Sequence, residues 1–178
     1  HNINITYLSF VLQIVAGSLK NNPLINSVWG RDSILLKRQI NIGVAVATEE
    51  GLLVPVVKNA DSLNIQNLAK TVDDITTRAR TGNLKVDDVQ GGTFTVNNTG
   101  AIGSVIGKAL INYPQAAILN TESIVKRPVV IDDSITIRSM MNLCLTFDHR
   151  IIDGAQAGTF VTEIKQRLES IDVNLDVV

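Results

Sequence analysis

Three stretches of the chain carry apolar residues at three- and four-residue spacing, which is the pattern of an amphipathic helix on a core. They run from Thr6, a candidate N-cap, to about Lys20, from near Ser62 to Thr81, and onward from about Gly154. The apolar face of the last stretch comprises Phe160, Ile164, Leu168 and Ile171. We therefore expect three helices that each bury one face.

Short segments rich in branched apolar residues lie between the predicted helices and indicate strands. Four precede the second helix and are expected to form one sheet: Ile25 to Trp29, Ile34 to Arg38, Ile40 to Thr48 and Leu52 to Val57. Five follow it: Thr93 to Val96, Ile118 to Ile124, Val129 to Ile131, Ile135 to Ile137 and Met140 to Phe147. Asp132-Asp133-Ser134 is a predicted hairpin turn, and Asn97 to Gly107 is a predicted glycine- and asparagine-rich loop that could carry function.

Helices and strands in this mixed order predict an α+β fold, in which a sheet packs against helices in a two-layer sandwich. The chain has no internal repeats, low-complexity tracts or linkers, so residues 1–178 are expected to form a single domain. With 178 residues and 45% hydrophobic content, the chain can bury one good-sized core.

Composition narrows the function classes. The chain has 16 basic and 17 acidic residues and only 4% aromatics, so it lacks the electrostatic surface of a nucleic-acid binder. No apolar run approaches the roughly 20 residues that span a bilayer, and a cytoplasmic protein with no membrane partner is expected. Cys144 is the only cysteine and there are two histidines, so we expect no disulfide, no metal site, and a thiol that serves packing.

The most informative segment runs from Leu145 to Gly154. It places His149 between the end of an apolar strand and the start of a helix, with Asp153 four residues later. A histidine in such a turn can take a proton near neutral pH, and the carboxylate can fix the ring or hold an arginine that fixes the loop. The alternative is an exposed histidine in a polar turn, and the spacing alone does not decide between them.

Other catalytic motifs are missing from the sequence. There is no G-x-S-x-G element of a serine hydrolase and no G-x-G-x-x-G dinucleotide motif. Gly103 to Ala109 has three residues between its glycines and an alanine after the lysine, so it fails the phosphate-loop pattern. These absences leave the histidine segment as the strongest candidate.

That segment, Asp148 to Gly154, contains the motif D-H-R-x-x-D-G, and with it the chain resembles the catalytic domain of the dihydrolipoamide acyltransferases of 2-oxo-acid dehydrogenase complexes. Four further blocks carry the same resemblance: Val44 to Thr48, Gly51 to Asp61, Gly91 to Gly100 and Pro114 to Leu119. Among subfamilies, the chain looks most like the bacterial branched-chain acyltransferases.

This resemblance implies a chloramphenicol acetyltransferase-like fold with a mixed sheet, and a homotrimer that assembles into a core of 24 or 60 chains. The implied reaction is acyl transfer between a dihydrolipoyl thiol and CoA, with 2-methylpropanoyl favoured over acetyl. CoA is then a substrate, the lipoyl group is carried on a separate domain, and no metal takes part. The implied partners are the lipoyl domain and the decarboxylase and dihydrolipoamide dehydrogenase components, held through domains absent here.

The resemblance also assigns roles to residues. His149 would be the general base, Asp153 would orient the site, with an arginine as a candidate intermediary, and Asp148 and Arg150 would be structural. Asn97 stands where many members have a serine that steadies the tetrahedral intermediate, and an asparagine amide can also donate a hydrogen bond. No residue is assigned to CoA binding. The family's R-x-x-I-A-x-x-M stretch is not found, so the chain is expected to lack an N-terminal part together with the lipoyl and subunit-binding domains.

Three alternatives remain open. The acetyltransferase of the pyruvate dehydrogenase complex is the nearest competitor. A small-molecule acetyltransferase of the chloramphenicol type shares an H-x-x-x-D-G core but is expected to lack the blocks around Pro55 and Pro114, which are present here. A non-catalytic core scaffold is expected to have lost the histidine, so the presence of His149 argues against it.

Overall fold

The computed structural model describes residues 5–171, and the three predicted helices are present there. They are α1 (Tyr7–Asn21), α2 (Ile65–Arg80) and α3 (Gly154–Glu169). The start of α2 lies later than predicted because Asn64 is its N-cap, with a side chain that accepts a hydrogen bond from Asn67 N at 2.9 Å. In the part of the chain that is described, no helix is long and apolar enough to cross a membrane.

Five strands form the main sheet, in the spatial order β11-β8-β7-β3-β6. Within residues 5–171 the strands are β1 (Ser27–Trp29), β2 (Ile34–Leu36), β3 (Ile42–Val44), β4 (Val46–Thr48), β5 (Gly51–Leu53), β6 (Val56–Val57), β7 (Phe94–Asn98), β8 (Ala117–Thr121), β9 (Val125–Ile131), β10 (Ser134–Met140) and β11 (Leu143–Phe147). β7 is parallel to both β8 and β3, whereas the edge strands β11 and β6 are antiparallel to their neighbours. The main sheet is therefore mixed.

The helices cover one face of the main sheet and form the hydrophobic core with it. Leu12 of α1, Phe160 of α3, Phe94 of β7 and Leu119 of β8 are fully buried in one cluster. The rings of Phe94 and Phe160 meet edge to face with centroids 5.8 Å apart, an arrangement that aromatic pairs favour. This packing confirms the predicted α+β sandwich and fixes α3 against the centre of the sheet.

The four extended segments before α2 do not form one sheet, so that expectation is wrong. A turn closed by the 2.8 Å hydrogen bond from Gly30 N to Ser33 O makes β1 and β2 a separate hairpin. The segment predicted as a single strand divides at Ala45, because β3 stays in the main sheet while β4 leaves it and pairs with β5. Pro55 then separates β5 from β6, and a proline has no N–H to donate to a ladder.

The hairpin of β9 and β10 is longer than predicted. Asp132 and Asp133 have φ values of 48° and 58°, and two left-handed residues make the type I′ turn that suits a two-residue connection. Ser134 is consequently the first residue of β10 and not part of the turn. The next strand begins at Leu143, because Met140 is still paired within the hairpin.

Candidate active site

His149 lies in a tight turn that joins β11 to α3. The turn is anchored to the sheet by the backbone of Asp148, whose N–H donates to Ala116 O at 2.8 Å. The carbonyl of Asp148 accepts from the N–H groups of Ile151 and Ile152, both at 3.0 Å. The His149 side chain is exposed and rests beside Phe147, with ring centroids 5.4 Å apart. No residue between 5 and 171 hydrogen-bonds its imidazole, so both ring nitrogens are open to a substrate.

Asp148 and Arg150, which flank His149, form an ion pair with each other. Arg150 Nη2 lies 2.6 Å from Asp148 Oδ2, and Asp148 Oδ1 also accepts from the Arg150 backbone N–H at 3.0 Å. These hydrogen bonds from Arg150 lower the pKa of Asp148, although burial opposes them. The Arg150 guanidinium lies 4.7 Å above the Trp29 ring, a cation–π contact that ties the turn to β1. Asp148 and Arg150 therefore shape the turn that carries His149.

Asp153 is the N-cap of α3. Its carboxylate accepts from Gln156 N at 2.7 Å, and the Gln156 side chain accepts in return from Asp153 N at 3.0 Å, which completes a capping box. Asp153 pairs with no arginine within the described residues. Asp153 thus fixes the start of α3, four residues after His149.

Asn97 lies near the end of β7, in the segment predicted as a loop. That prediction was wrong in part, because Asn97 and Asn98 are still paired with β8, and a short 3₁₀ turn, Thr99–Ile102, follows them. Val96 is buried in the helix-covered core, so alternation turns the half-buried Asn97 toward the opposite face of the sheet. Its amide has no hydrogen-bond partner among residues 5–171 and is free to donate.

Two nearby hydroxyls are already engaged. Thr95 Oγ1 donates to Gln115 Oε1 at 2.6 Å, and Thr99 Oγ1 donates to Glu122 Oε2 at 2.7 Å. A hydroxyl has one proton, so neither threonine has a free donor for a substrate oxygen. Asn98 also keeps an uncommitted amide, but it lies toward the helices, where its Oδ1 accepts from the Tyr7 hydroxyl of α1 at 2.8 Å. Asn97 therefore carries the uncommitted side-chain donor of β7 on the opposite face.

A single chain keeps Asn97 and His149 apart. Asn97 is in register with Asn120 of β8, and Asn120 is in register with Cys144 of β11. The half-exposed Cys144 thus lies level with Asn97, two strands away, while His149 follows five residues later along β11. With a strand rise of about 3.3 Å and a strand spacing of about 4.8 Å, the two residues are roughly 15–20 Å apart. They face opposite ends of the sheet and cannot contact one substrate atom together.

A cavity of about 630 Å³ lies between the β1–β2 hairpin and the approach to β7. Its lining residues are Val28, Lys37, Arg38, Gln39, Gly91, Gly92, Thr93 and Pro114. Lys37 and Arg38 are residue types that bind phosphate groups, and Val28 is adjacent to the Trp29 that supports the histidine turn. In the described part of the chain, no group of three or more His, Cys, Asp or Glu side chains is placed to hold a metal ion.

Glu122 was not predicted to be a functional residue. It follows directly after β8, and its side chain is fully buried although it is a carboxylic acid. The signal that the sequence offers is an acidic residue within the segment from Ile118 to Ile124, which was predicted as a strand. Its hydrogen bonds, described below, connect it to the segment that carries Asn97.

Comparison with known proteins gives a family match over nearly the whole chain. The model of the family "2-oxoacid dehydrogenases acyltransferase (catalytic domain)" matches residues 1–175. The lipoamide acyltransferase component of the branched-chain alpha-keto acid dehydrogenase complex of Bacillus subtilis is 53% identical over 175 residues, which are 98% of this chain and 41% of that protein. An acetyltransferase component of the pyruvate dehydrogenase complex of Mycobacterium bovis is 47% identical over 94% of this chain and 32% of its own length. The chain therefore spans less than half of these relatives.

Solved structures agree with this match. A probable dihydrolipoamide acetyltransferase from Listeria monocytogenes superposes with a TM-score of 0.93 at 49% identity, over 96% of this chain and 73% of that one. A dihydrolipoamide acetyltransferase from Azotobacter vinelandii gives 0.92 at 31% identity, over 99% and 73%. A chloramphenicol acetyltransferase gives 0.58 at 14% identity over 92% and 78%, and this likeness concerns the fold alone. Together with the histidine turn and the mixed sheet, these matches show that the chain belongs to the family of 2-oxo-acid dehydrogenase acyltransferase catalytic domains.

Proposed function

We propose that this chain transfers an acyl group, preferably 2-methylpropanoyl, between a dihydrolipoyl thiol and CoA in a bacterial branched-chain 2-oxo-acid dehydrogenase complex. The observation that carries the proposal is the histidine turn. His149 is exposed and unpaired at the end of β11, while the Asp148 and Arg150 side chains and Ala116 O hold the backbone on either side of it. A rigid support with a free imidazole is what a general base requires.

His149 acts as the base on the attacking thiol. A free thiol of the cysteine type has a pKa of about 8.5, so a base is needed to supply the thiolate near neutral pH. His149 takes the proton from the CoA thiol, and the sulfur attacks the carbonyl carbon of the acyl-dihydrolipoyl thioester. The tetrahedral intermediate then collapses, the bond to the dihydrolipoyl sulfur breaks, and that sulfur takes the proton back from His149.

Asn97 donates to the oxygen on which charge develops. A donor at that position stabilises the tetrahedral intermediate more than the planar thioester, which accelerates the reaction. The Azotobacter structure was studied for the catalytic roles of a serine, a histidine and an asparagine. These three are separated along that chain by the same two intervals, 52 and 4 positions, that separate Asn97, His149 and Asp153 here. The equal spacing supports assigning Asn97 to the serine's position and Asp153 to the asparagine's.

The site is shared between two copies of the chain. His149 and Asn97 lie roughly 15–20 Å apart in one chain by strand geometry, so a second copy must bring its Asn97 to the first copy's His149. A homotrimer with three equivalent junctions does this, because each junction joins two different surfaces. Trimers then assemble into a larger core of 24 or 60 chains. A solved relative with a TM-score of 0.92 is the cubic core of a pyruvate dehydrogenase multienzyme complex.

CoA and the lipoyl group approach this junction as substrates. The 630 Å³ cavity with Lys37 and Arg38 fits the phosphate groups of CoA, because it carries two cationic side chains near the turn that contains His149. The lipoyl group arrives on its own domain, and the decarboxylase and dihydrolipoamide dehydrogenase components are the other partners of this cytoplasmic complex.

A panel of acyl-CoA substrates with free dihydrolipoamide tests the proposal. We expect kcat/KM for 2-methylpropanoyl-CoA to exceed that for acetyl-CoA by roughly tenfold or more, the discrimination that one or two methyl groups give in an apolar pocket. A preference for acetyl-CoA would instead assign the chain to a pyruvate complex, as in the Mycobacterium relative. Transfer of no acyl group by the assembled protein would leave only a scaffold role.

A further inference from the structure

Glu122 is a buried carboxylate that no proposed catalytic step uses. Its side chain is fully buried, and Thr99 Oγ1 donates to Oε2 at 2.7 Å. The Ser104 hydroxyl and the Gly107 backbone N–H also donate to it, and Asn120 Nδ2 lies 3.4 Å from Oε1. Hydrogen bonds to this one acidic side chain thus hold the segment from Thr99 to Gly107 against the end of β8.

The carboxylate is an anion satisfied by neutral donors. Burial alone would raise its pKa, but the hydrogen bonds from Ser104, Thr99, Asn120 and Gly107 outweigh burial and lower it. No lysine or arginine in the described residues forms an ion pair with it. A buried charge of this kind is retained only while its donors stay in place, so the donors and the loop that carries them are fixed together.

Two residues close to Asn97 donate to this carboxylate. Thr99, the first residue of the 3₁₀ turn, follows Asn97 by two positions, and Asn120 is the register partner of Asn97 on β8. Asn120 is 2% exposed, and its Oδ1 is buried without a partner. Since Asn120 Nδ2 faces Glu122, this amide presents its free carbonyl oxygen away from the carboxylate.

We infer that Glu122 is a positioning residue for acyl transfer: through Thr99 and Asn120 it holds Asn97 where the thioester oxygen will lie. The inference rests on the proposed function. A direct electrostatic role is excluded by its sign, because an anion close to a developing oxyanion would disfavour the transition state. Glu122 acts by fixing the position of Asn97, and its own negative charge is stabilised by the hydrogen bonds that it accepts.

Glu122→Gln tests the inference with almost no change of shape. The glutamine NH₂ is a donor where a carboxylate oxygen was an acceptor. At the Oε1 position it would face Asn120 Nδ2, which cannot accept, and at the Oε2 position it would force the Thr99 hydroxyl to change from donor to acceptor. We expect kcat in the assembled acyltransferase to fall by roughly 10- to 100-fold as Asn97 is misplaced. The KM for CoA should stay within about twofold, because the thiol side of the site is built on the other end of the sheet.

A double-variant cycle separates positioning from general destabilisation. If Glu122 acts through Asn97, adding Glu122→Gln to Asn97→Ala should lower kcat by less than about threefold further. The matched control is Glu163→Gln on α3, where the carboxylate accepts from Asn21 and Asn22 Nδ2 at 2.9 Å on the helix side of the molecule. Glu163→Gln should also lower the melting temperature but leave kcat unchanged.

Thr99→Val is the second variant, since it removes one donor to Glu122 and keeps the side-chain shape. It should lower kcat by roughly three- to tenfold, again with no further loss in the Asn97→Ala background. Full multiplicative losses in both double variants, or normal kcat for Glu122→Gln, would overturn the inference while the proposed function stands. Absence of acyl transfer by the unaltered protein would overturn the proposed function, and the inference with it.

Discussion

Gly100→Ala is a one-carbon perturbation of the segment that follows Asn97. Gly100 lies in the Thr99–Ile102 turn, and a Cβ added there would be 2.5 Å from both C and O of Glu122 and 2.7 Å from Ser123 N. All three are backbone atoms, so no flexible side chain can rotate away from the new methyl group. The turn itself must move off the end of β8.

The size of the effect follows from these distances. Carbon atoms in favourable contact lie about 3.5–4.0 Å apart, so the turn must shift by roughly 1 Å. Overpacking of this kind costs about 1–3 kcal/mol of unfolding free energy. The shift also loosens the contact of the Ser123 hydroxyl with Gly100 O, now 3.1 Å. A displacement of about 1 Å in a positioned catalytic group lowers kcat by roughly 100-fold.

Gly158→Ala is the matched control, because a Cβ at Gly158 meets no atom within 4 Å. Gly158 is an exposed position inside α3, where alanine should stabilise the helix by roughly 0.5–1 kcal/mol and leave kcat unchanged. Both variants are measured by thermal unfolding and by acyl transfer from 2-methylpropanoyl-CoA to dihydrolipoamide. If Gly100→Ala keeps normal kcat and melting temperature, the tight contact between the turn and Glu122 does not govern the site.

Three further predictions follow from the site. His149→Ala should lower kcat by roughly 10²–10⁴ with little change in the KM for CoA, and residual activity within about threefold of the unaltered protein would remove its role as base. Asn97→Ala should lower kcat by about 10–10³ and Asn97→Ser should restore much of it; a silent alanine variant would move the donor role elsewhere. Hydrogen bonds lower the pKa values of Asp148, Glu122 and Glu163, so their stabilisation is present above about pH 4 and is lost as pH falls through the lower folded values. The melting temperature should therefore fall below about pH 4, and less steeply in Glu163→Gln.

Local signals predicted the helices and the histidine turn. The start of α3 near Gly154 was predicted from the apolar spacing through Phe160 and Ile164, which depends only on residues near in sequence. The role of Asp153 as its N-cap was not predicted. The type I′ turn at Asp132 and Asp133 was placed correctly to within one residue for the same reason.

Pairing between distant segments was not predictable in this way. The single apolar run from Ile40 to Thr48 contains both β3 and β4, which belong to two different sheets. Whether β4 continues in the main sheet or leaves it depends on Pro55 and on the turn before Gly51. The position of Asn97 required the β7–β8 register, and Glu122 was missed because its burial depends on a loop that folds back over it. An acidic residue in a strand pattern carries no sign of the donors that will surround it.

The most direct test of the shared site is activity in mixed assemblies of two inactive variants. His149→Ala chains keep Asn97, and Asn97→Asp chains keep His149 while placing a negative charge beside the oxyanion. In a threefold ring with heterologous junctions, equal amounts mixed at random give about one junction in four where both native residues meet. Co-refolding should therefore restore about a quarter of the activity of the unaltered protein. Mixed trimers that form in normal yield yet stay as inactive as their parents would show that each chain completes its own site, against the geometry described here.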